Sequence, residues 1–373
     1  MTDLINFDGM ASSNLNPIVQ EAITSWISTN STPASLHPMG EKSSNLHMHT
    51  KISVSKYFST SPEDVVFTSG SLESDNIAIH GMAQMRKRKF SKIAVLSTDP
   101  LSIIQPARVL EKQGWNVNII PVNEFGIVNL ETIDSFVDNE TGVVCCHLVN
   151  EETGAMQPIS EFARVVKEIS PRALIHCNAK AAFGRIDFSI LELGVDSISI
   201  EPQSVGGPAG IGALIAFQGL RIPPLMLGGG ESGTRPGVIS NALVSGFAKT
   251  LELEMISAKI NEKILLAFEK VDLSNCCWTI DPQNSVPGIV NLCVESVAAE
   301  PFVIECGING LLISPSSGCT SSTGGPSHVL SAMGISEKNA LCSVRISLSE
   351  NLEMEQIEEG FSRMQKSFQN LTS

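Results

Sequence analysis

The sequence predicts an α/β protein, a mostly parallel sheet covered on both faces by helices, followed by a smaller α+β region. Three observations carry this. Short apolar or β-branched runs alternate with helical segments from residue 64 to residue 217, the pattern of strands joined by crossover helices. At 373 residues the chain is too long for one small core, and 42% hydrophobic with 17% charged residues is the balance of an ordinary globular protein. Beyond residue 266 strands are sparser and the chain ends in one amphipathic stretch.

In order, residues 17–29 carry apolar side chains at helical spacing, and Lys51–Phe58 reads as the end of a further helix. Asp64–Thr68 is a short β-run that leads through small residues into a helix at Ser69–Asn76. Strands follow at Ile93–Leu96, Asn116–Pro121, Gly142–Leu148, Ala173–Cys177, Ser197–Ile200 and Ala213–Phe217. Helices are expected near 101–113, 130–137 and 159–169. Pro223–Gly237 is too glycine-rich for a regular element, and one long helix is predicted near 238–265. The remainder predicts strands near Trp278–Ile280, Gly288–Val294 and Ser343–Ser347 and a terminal helix near 353–369.

Bulk properties exclude several classes of function. A net charge of −14 argues against nucleic acid as partner, and the basic run Arg86–Lys89 reads as a solvated connector. The first residues lack a basic segment leading into an apolar one, and no stretch approaches the length of a membrane span, so a cytoplasmic protein is expected. Nine cysteines include the adjacent pairs Cys145-Cys146 and Cys276-Cys277, which suit neither zinc spacing nor a disulfide framework. Cys145 and Cys146 read as core thiols, and no metal site is predicted. The glycines of 206–212 do not follow GxGxxG. Gly228–Thr234 lacks the lysine of a phosphate loop, and no GxSxG elbow is present.

The stretch from Ser199 to Leu214, a strand running into a glycine-rich loop, is where an α/β enzyme would place chemistry. Seven passages in order resemble the cysteine desulfurases, pyridoxal-phosphate (PLP) enzymes of the class V aminotransferase fold. They are Ser69–Asn76 (SGSLESDN), Asn150–Gln157 (NEETGAMQ), His176–Gly184, Gly206–Leu214, Gly228–Gly237, Gly318–Ser321 (GCTS) and Ser343–Leu348 (SVRISL). The resemblance implies the PLP-transferase fold type I. It places a large domain with a mostly parallel seven-stranded sheet over 14–245 and a smaller α+β domain over 1–13 and 246–373. It also implies a homodimer in which the Gly228–Gly237 loop reaches the neighbour's active site.

The family's chemistry needs a lysine for the Schiff base, a carboxylate on the pyridine nitrogen, a stacking histidine and a phosphate cup. On this sequence the lysine falls on Ser204 and the histidine before it on Gln203. The ring-nitrogen aspartate falls on Asn178, the stacking histidine on Pro100 and a ring-oxygen glutamine on Ala181. The phosphate-cup threonine falls on Leu72 and a phosphate-binding serine on Glu201, whose charge would repel a phosphate. The substrate-side positions are kept: Arg345 for the substrate carboxylate, Asn150 near the ring oxygen, His176 and Ala179 beneath the ring, Cys319 for the persulfide, and Arg235 in a dimer loop one residue shorter.

These departures predict a catalytically degenerate desulfurase-like protein without PLP, with Ser71, His176, Asn178 and Gln203 as a vestigial cofactor pocket. Its expected work is sulfur or iron–sulfur handling, as homodimer or as heterodimer with an active cysteine desulfurase, with a sulfur-acceptor or scaffold protein as further partner. Cys319, in a run almost free of apolar residues, is either a sulfur acceptor, a metal or iron–sulfur ligand, or a passive remnant. Arg345 is either a substrate group or a structural ion-pair partner. The alternative is an enzyme that holds PLP non-covalently, or through Lys180, whose side chain is expected to share a strand face with Asn178. Otherwise Lys180 fills the pocket or pairs with Glu201. A regulatory role on a reused fold is the third reading.

Overall fold

The computed structural model describes residues 4–228, 233–271, 273, 275–316 and 325–372. Strand β1 (Ile5–Asn6) opens the chain. Helices α1 (Pro17–Trp26) and α2 (Pro38–Tyr57) begin on prolines, whose missing N–H is not needed in a first turn; the side chains of Asn16 and His37 accept the next free amides. Strand and helix then alternate as predicted: β2 (Val65–Thr68), α3 (Ser71–Arg86), β3 (Lys92–Leu96), α4 (Leu101–Lys112), β4 (Asn116–Ile120), β5 (Thr141–His147), α5 (Ile159–Ile169), β6 (Leu174–Asn178), a short α6 (Ile190–Leu193), β7 (Ser197–Ile200) and β8 (Gly212–Ala216).

These seven strands form one sheet in the order β2-β8-β7-β6-β5-β3-β4. Strand β8 alone runs antiparallel to its neighbours β2 and β7. Strands β5 and β6 are buried at every position and show no apolar–polar alternation; β7 is buried throughout as well, although Ile198 and Ile200 alternate with Ser197 and Ser199. Helix α5 shows the complementary pattern, with Ile159, Phe162, Ala163 and Val166 turned inward and the Arg164–Glu168 ion pair (2.6 Å) outward.

The second half contributes α7 (Asn241–Thr250), α8 (Ile260–Glu269), β9 (Cys276–Trp278), β10 (Ile289–Val294), α9 (Ala299–Ile308), β11 (Leu311–Leu312), β12 (Ser314–Pro315), α10 (His328–Ala332), α11 (Glu337–Leu341), β13 (Ser343–Ser347) and α12 (Met354–Thr372). Strands β12-β13-β10-β9 form an antiparallel sheet, and β1 pairs with β11 in parallel. Phe7, just after β1, is buried against Phe361 of α12 with ring centroids 5.9 Å apart, so the first residues are fastened to the last helix.

Three expectations are corrected. The helix predicted over 238–265 is two helices, because the chain leaves the first at Thr250 to bury Ile256 and bond its amide to the Gly184 carbonyl (2.9 Å). The segment near 130–137 is a 3-10 turn over Leu130–Ser135, started by the Asn129 side chain. The strand placed near Trp278–Ile280 lies earlier, at Cys276–Trp278, opposite Val294–Leu292. Among the described residues no helix is long and apolar enough to cross a membrane, and no cluster of His, Cys, Asp and Glu could hold a metal ion.

The carboxyl ends of β2, β3, β5, β6 and β7 open on one side of the sheet, facing β12 and β13. Close backbone packing sets this geometry: a Cβ on Gly212 would lie 2.6 Å from the Ile200 carbonyl oxygen and 2.7 Å from the Gly70 Cα. Gly212→Ala is therefore expected to lower unfolding stability by about 2 kcal/mol or more. Urea denaturation of the variant beside the wild type measures it, and an unchanged midpoint would contradict this packing.

Candidate functional site

A cavity of about 330 Å³ lies at those strand ends. Thr98 and Pro100 line it from the turn after β3, and His147, Asn150, Glu151 and Glu152 from the end of β5. Asn178, Lys180 and Ala181 line it from the end of β6, Gln203 from the turn after β7, and Ser314, Ser316, His328 and Arg345 from the second half.

Lys180 on its floor opens a charge chain whose further members, Glu201 and Ser71, do not line the cavity. Lys180 Nζ lies 3.0 Å from Glu151 Oε2 and 3.3 Å from Glu201 Oε1. Glu201 Oε2 in turn accepts the backbone N–H and the hydroxyl of Ser71, both at 2.9 Å, at the first residue of α3. Burial alone would lower the Lys180 pKa, but Glu151 and Glu201 outweigh it and the net shift is upward. Lys180 in turn holds Glu151 below the usual carboxylate range, against burial. The Lys180–Glu201 contact considered from sequence is present; Glu151 as third member was not signalled, because its 29-residue separation from Lys180 closes only through the β5–β6 pairing. Lys180 does not share a strand face with Asn178, since β6 ends at Asn178 and Lys180 occupies the following turn.

Beneath this floor lies a buried carboxylate network. Asp75 on α3 accepts from His176 Nε2 (2.9 Å), Asn178 Nδ2 (2.7 Å), Ser199 and Ser102. The Asn178 amide is thus turned to Asp75, while its oxygen accepts the Lys180 N–H (3.0 Å). A second buried carboxylate, Asp99, accepts from His147 Nδ1 (2.8 Å) and the Leu96 amide (2.7 Å); burial raises its pKa, with the histidine opposing.

The predicted site residues separate into groups. Asn178, Gln203, Asn150 and Arg345 line the cavity. His176 does not: it is fully buried inside the sheet, as expected of a residue on the middle of β6. Ser204 does not either; it sits in a 3-10 turn with its hydroxyl buried and unpartnered, and its carbonyl accepts from Arg185 Nη2 (3.2 Å). Arg185, also fully buried, spans to the carbonyls of Pro287 (2.9 Å) and Leu348 (2.7 Å), and so ties this turn to the second half. Gln203 reaches the Ala11 carbonyl (2.9 Å), and Leu72 is solvent-exposed. Asn150 is engaged structurally, accepting the amides of Glu152 and Thr153 (3.0 Å each) and donating to the Thr98 carbonyl (3.1 Å). Arg345 is paired with Asp8 (3.1 Å), a partner the sequence did not signal, yet its buried Nε is unpartnered. Arg235 pairs within the chain with Glu73 of α3 (3.0 Å). Cys319 lies outside the described residues, and the eight cysteines inside them are free thiols.

The residues present do not fit PLP in the manner the resemblance implies. Ser204 offers no amine and does not line the cavity. The one lysine there is an ammonium between two carboxylates, and an imine needs the free amine. Asn178 brings no charge to a ring nitrogen, and the donors of Ser71 are already taken by Glu201.

The chain belongs to the class-V aminotransferase family, whose model matches residues 5–359. It is 32% identical to cysteine desulfurase IscS 1 of Archaeoglobus fulgidus over 344 residues, covering 90% of this chain and 89% of the relative. It is 30% identical to cysteine desulfurase IscS of Clostridium botulinum, covering 93% and 90%. Among solved structures, a NifS-like protein superposes with a TM-score of 0.89 at 25% identity over 99% of both chains. The structure titled SspA in complex with cysteine superposes with a TM-score of 0.82 at 26% identity, covering 93% of this chain and 99% of that one. The named relatives are enzymes, and the family is PLP-dependent.

Glu152 supplies a test of the site's electrostatics. Burial pushes its pKa from 4.5 up to about 8, with the Ser327 hydroxyl and Arg345 opposing, and its Oε1 has no partner. The native chain therefore keeps a proton that the unfolded chain releases, so stability falls as pH rises between about 4.5 and 8. The Glu152 contribution is on the order of 1.4 kcal/mol per pH unit inside that window. Glu152→Gln keeps the shape without ionising, so the variant should gain on the wild type steadily from pH 5 to pH 8. Parallel denaturation curves at all pH values would refute the assignment.

Proposed function

We propose that this chain is a cysteine desulfurase-like protein of sulfur or iron–sulfur handling that works without PLP. It acts in the cytoplasm as a partner of an active cysteine desulfurase or as a persulfide acceptor through Cys319. The observation that carries the reading is the Glu151–Lys180–Glu201–Ser71 chain: four groups around the cofactor's place are satisfied by one another. Ser204 at the lysine's position and the neutral Asn178 agree with it. Family membership supports the sulfur-handling half of the proposal, since the relatives carry the name cysteine desulfurase.

In the transfer step the Cys319 thiolate attacks the outer sulfur of the partner's cysteine persulfide. A new S–S bond forms on Cys319, the partner's S–S bond breaks, and the electron pair leaves on the partner's cysteine sulfur. No oxidant is consumed. The persulfide donor is an active desulfurase, which this chain meets as a homodimer or as the other half of a heterodimer, with a scaffold or acceptor protein receiving the sulfur next.

A second reading has the relatives' names behind it, and one structural neighbour is in complex with cysteine. On that reading the chain is an enzyme that holds PLP non-covalently or through Lys180 and meets an amino-acid carboxylate with Arg345. One experiment separates the two. The purified protein is expected to be colourless, both as isolated and after incubation with PLP followed by gel filtration to remove the free cofactor, whereas a retained absorption band that shifts with borohydride or L-cysteine would establish the enzyme. Incubation with an active cysteine desulfurase and sulfur-labelled cysteine should then label Cys319 and spare Cys319→Ser. Equal labelling of both would remove the acceptor role.

A further inference from the structure

We propose that the Glu201 side chain is a built-in occupant of the anion site at the N-terminus of α3, and that this occupation closes the site to phosphate monoesters. The inference deepens the reading just given and rests on it. Four observations carry it. One carboxylate oxygen receives both donors of Ser71, its backbone N–H and its hydroxyl, at 2.9 Å each. The helix behind that amide is 16 residues long, so its end presents the full field of aligned peptide dipoles. Gly70, the residue before it, has φ +153°, and a Cβ there would stand 3.0 Å from the same Glu201 oxygen. That oxygen thus rests in the hollow left by the missing side chain, a cradle for an anion rather than for a packed residue. The other carboxylate oxygen meets Lys180 at 3.3 Å, so the group has a helix end on one side and a cation on the other.

Glu201 reproduces what a phosphate oxygen would receive there, and it does so from within the chain. Its charge is met and its donors are taken, so a phosphate monoester would have to displace it as well as bear its repulsion. The cavity that Lys180 lines retains unmet polar capacity, because Thr98 Oγ1 and Glu152 Oε1, on residues 1% and 8% exposed, have no partner. Removal of this one carboxylate frees the Ser71 donors and one side of Lys180, which lines the cavity.

The test compares the wild type with Glu201→Ser, Glu201→Ala and Glu201→Gln by calorimetric titration, with folding checked by circular dichroism and melting. The probes are inorganic phosphate, pyridoxine 5′-phosphate, which has no aldehyde to react with lysine, and pyridoxine as the control without phosphate. Glu201→Ser is expected to bind pyridoxine 5′-phosphate at least about tenfold tighter than the wild type, the scale of one or two charge-assisted hydrogen bonds. Pyridoxine should gain nothing. Glu201→Gln should stay closed, because its amide oxygen still accepts from Ser71. Should Glu201→Gln open as fully as Glu201→Ser, repulsion and not occupation is the cause, and the proposal falls. It falls too if folded Glu201→Ser, or Glu201→Ala where the serine variant does not fold, gains no phosphate affinity. Wild-type protein that binds pyridoxine 5′-phosphate as tightly as Glu201→Ser overturns the occupation, while wild-type protein that takes up PLP with a borohydride-sensitive band overturns the cofactor-free reading instead.

Discussion

A long helix whose N-terminus is buried must find acceptors for its first amides, and a negative charge suits its dipole best. Helix α3 does this at the carboxyl edge of the sheet, and the surrounding residues follow from how that demand is met. Glu201 supplies the charge, Lys180 balances Glu201, and Glu151 balances Lys180. The signs alternate, so each member is favourable only while its neighbours stay in place. Close backbone contact between Gly70 and Gly212 and the anchoring of the Ser204 turn by Arg185 hold the participating loops where the chain requires them.

Below the cavity the sheet carries its own polar layer, and this too is self-contained. Asp75 has four donors, three of them from neighbouring strands β6 and β7, and Asp99 has His147 and a backbone amide. Buried carboxylates of this kind are tolerated because every oxygen has a partner. Asn178 belongs to that layer as much as to the cavity, since its amide is directed down to Asp75 and its oxygen to the Lys180 backbone. Polar capacity is left unmet higher up, at Glu152, Thr98 and Arg345, on the side facing the second half of the chain.

The alternation of strands and helices was legible because local periodicity reports burial on one face or two, and β5 and β6 read clearly for that reason. The break at Thr250 was not, because what ends the helix is a tertiary bond from Ile256 to Gly184 and not a local stop signal. In the site, the exchanged residue types were visible at Ser204, Asn178 and Glu201, but their consequences were not. Ser204 does not line the cavity, and Glu201 engages a helix end 130 residues earlier in the chain. Asp8, which neutralises Arg345, comes from the opposite end of the sequence, 337 residues away.

The amino-acid sequence by itself determined the α/β class, the order of the elements and which side chains are available: no amine at position 204, no anion at 178, a carboxylate at 201. Those are properties of residue type and short-range pattern, and they do not depend on who the neighbours are. The tertiary structure alone decided that the carboxylate at 201 meets a helix N-terminus and a lysine instead of standing unpaired. Electrostatic and hydrogen-bond energies are set by distances of a few ångströms between groups far apart in the chain, and only the packed sheet, with its strand ends gathered at one edge, brings Glu201, Lys180, Glu151 and Ser71 within those distances.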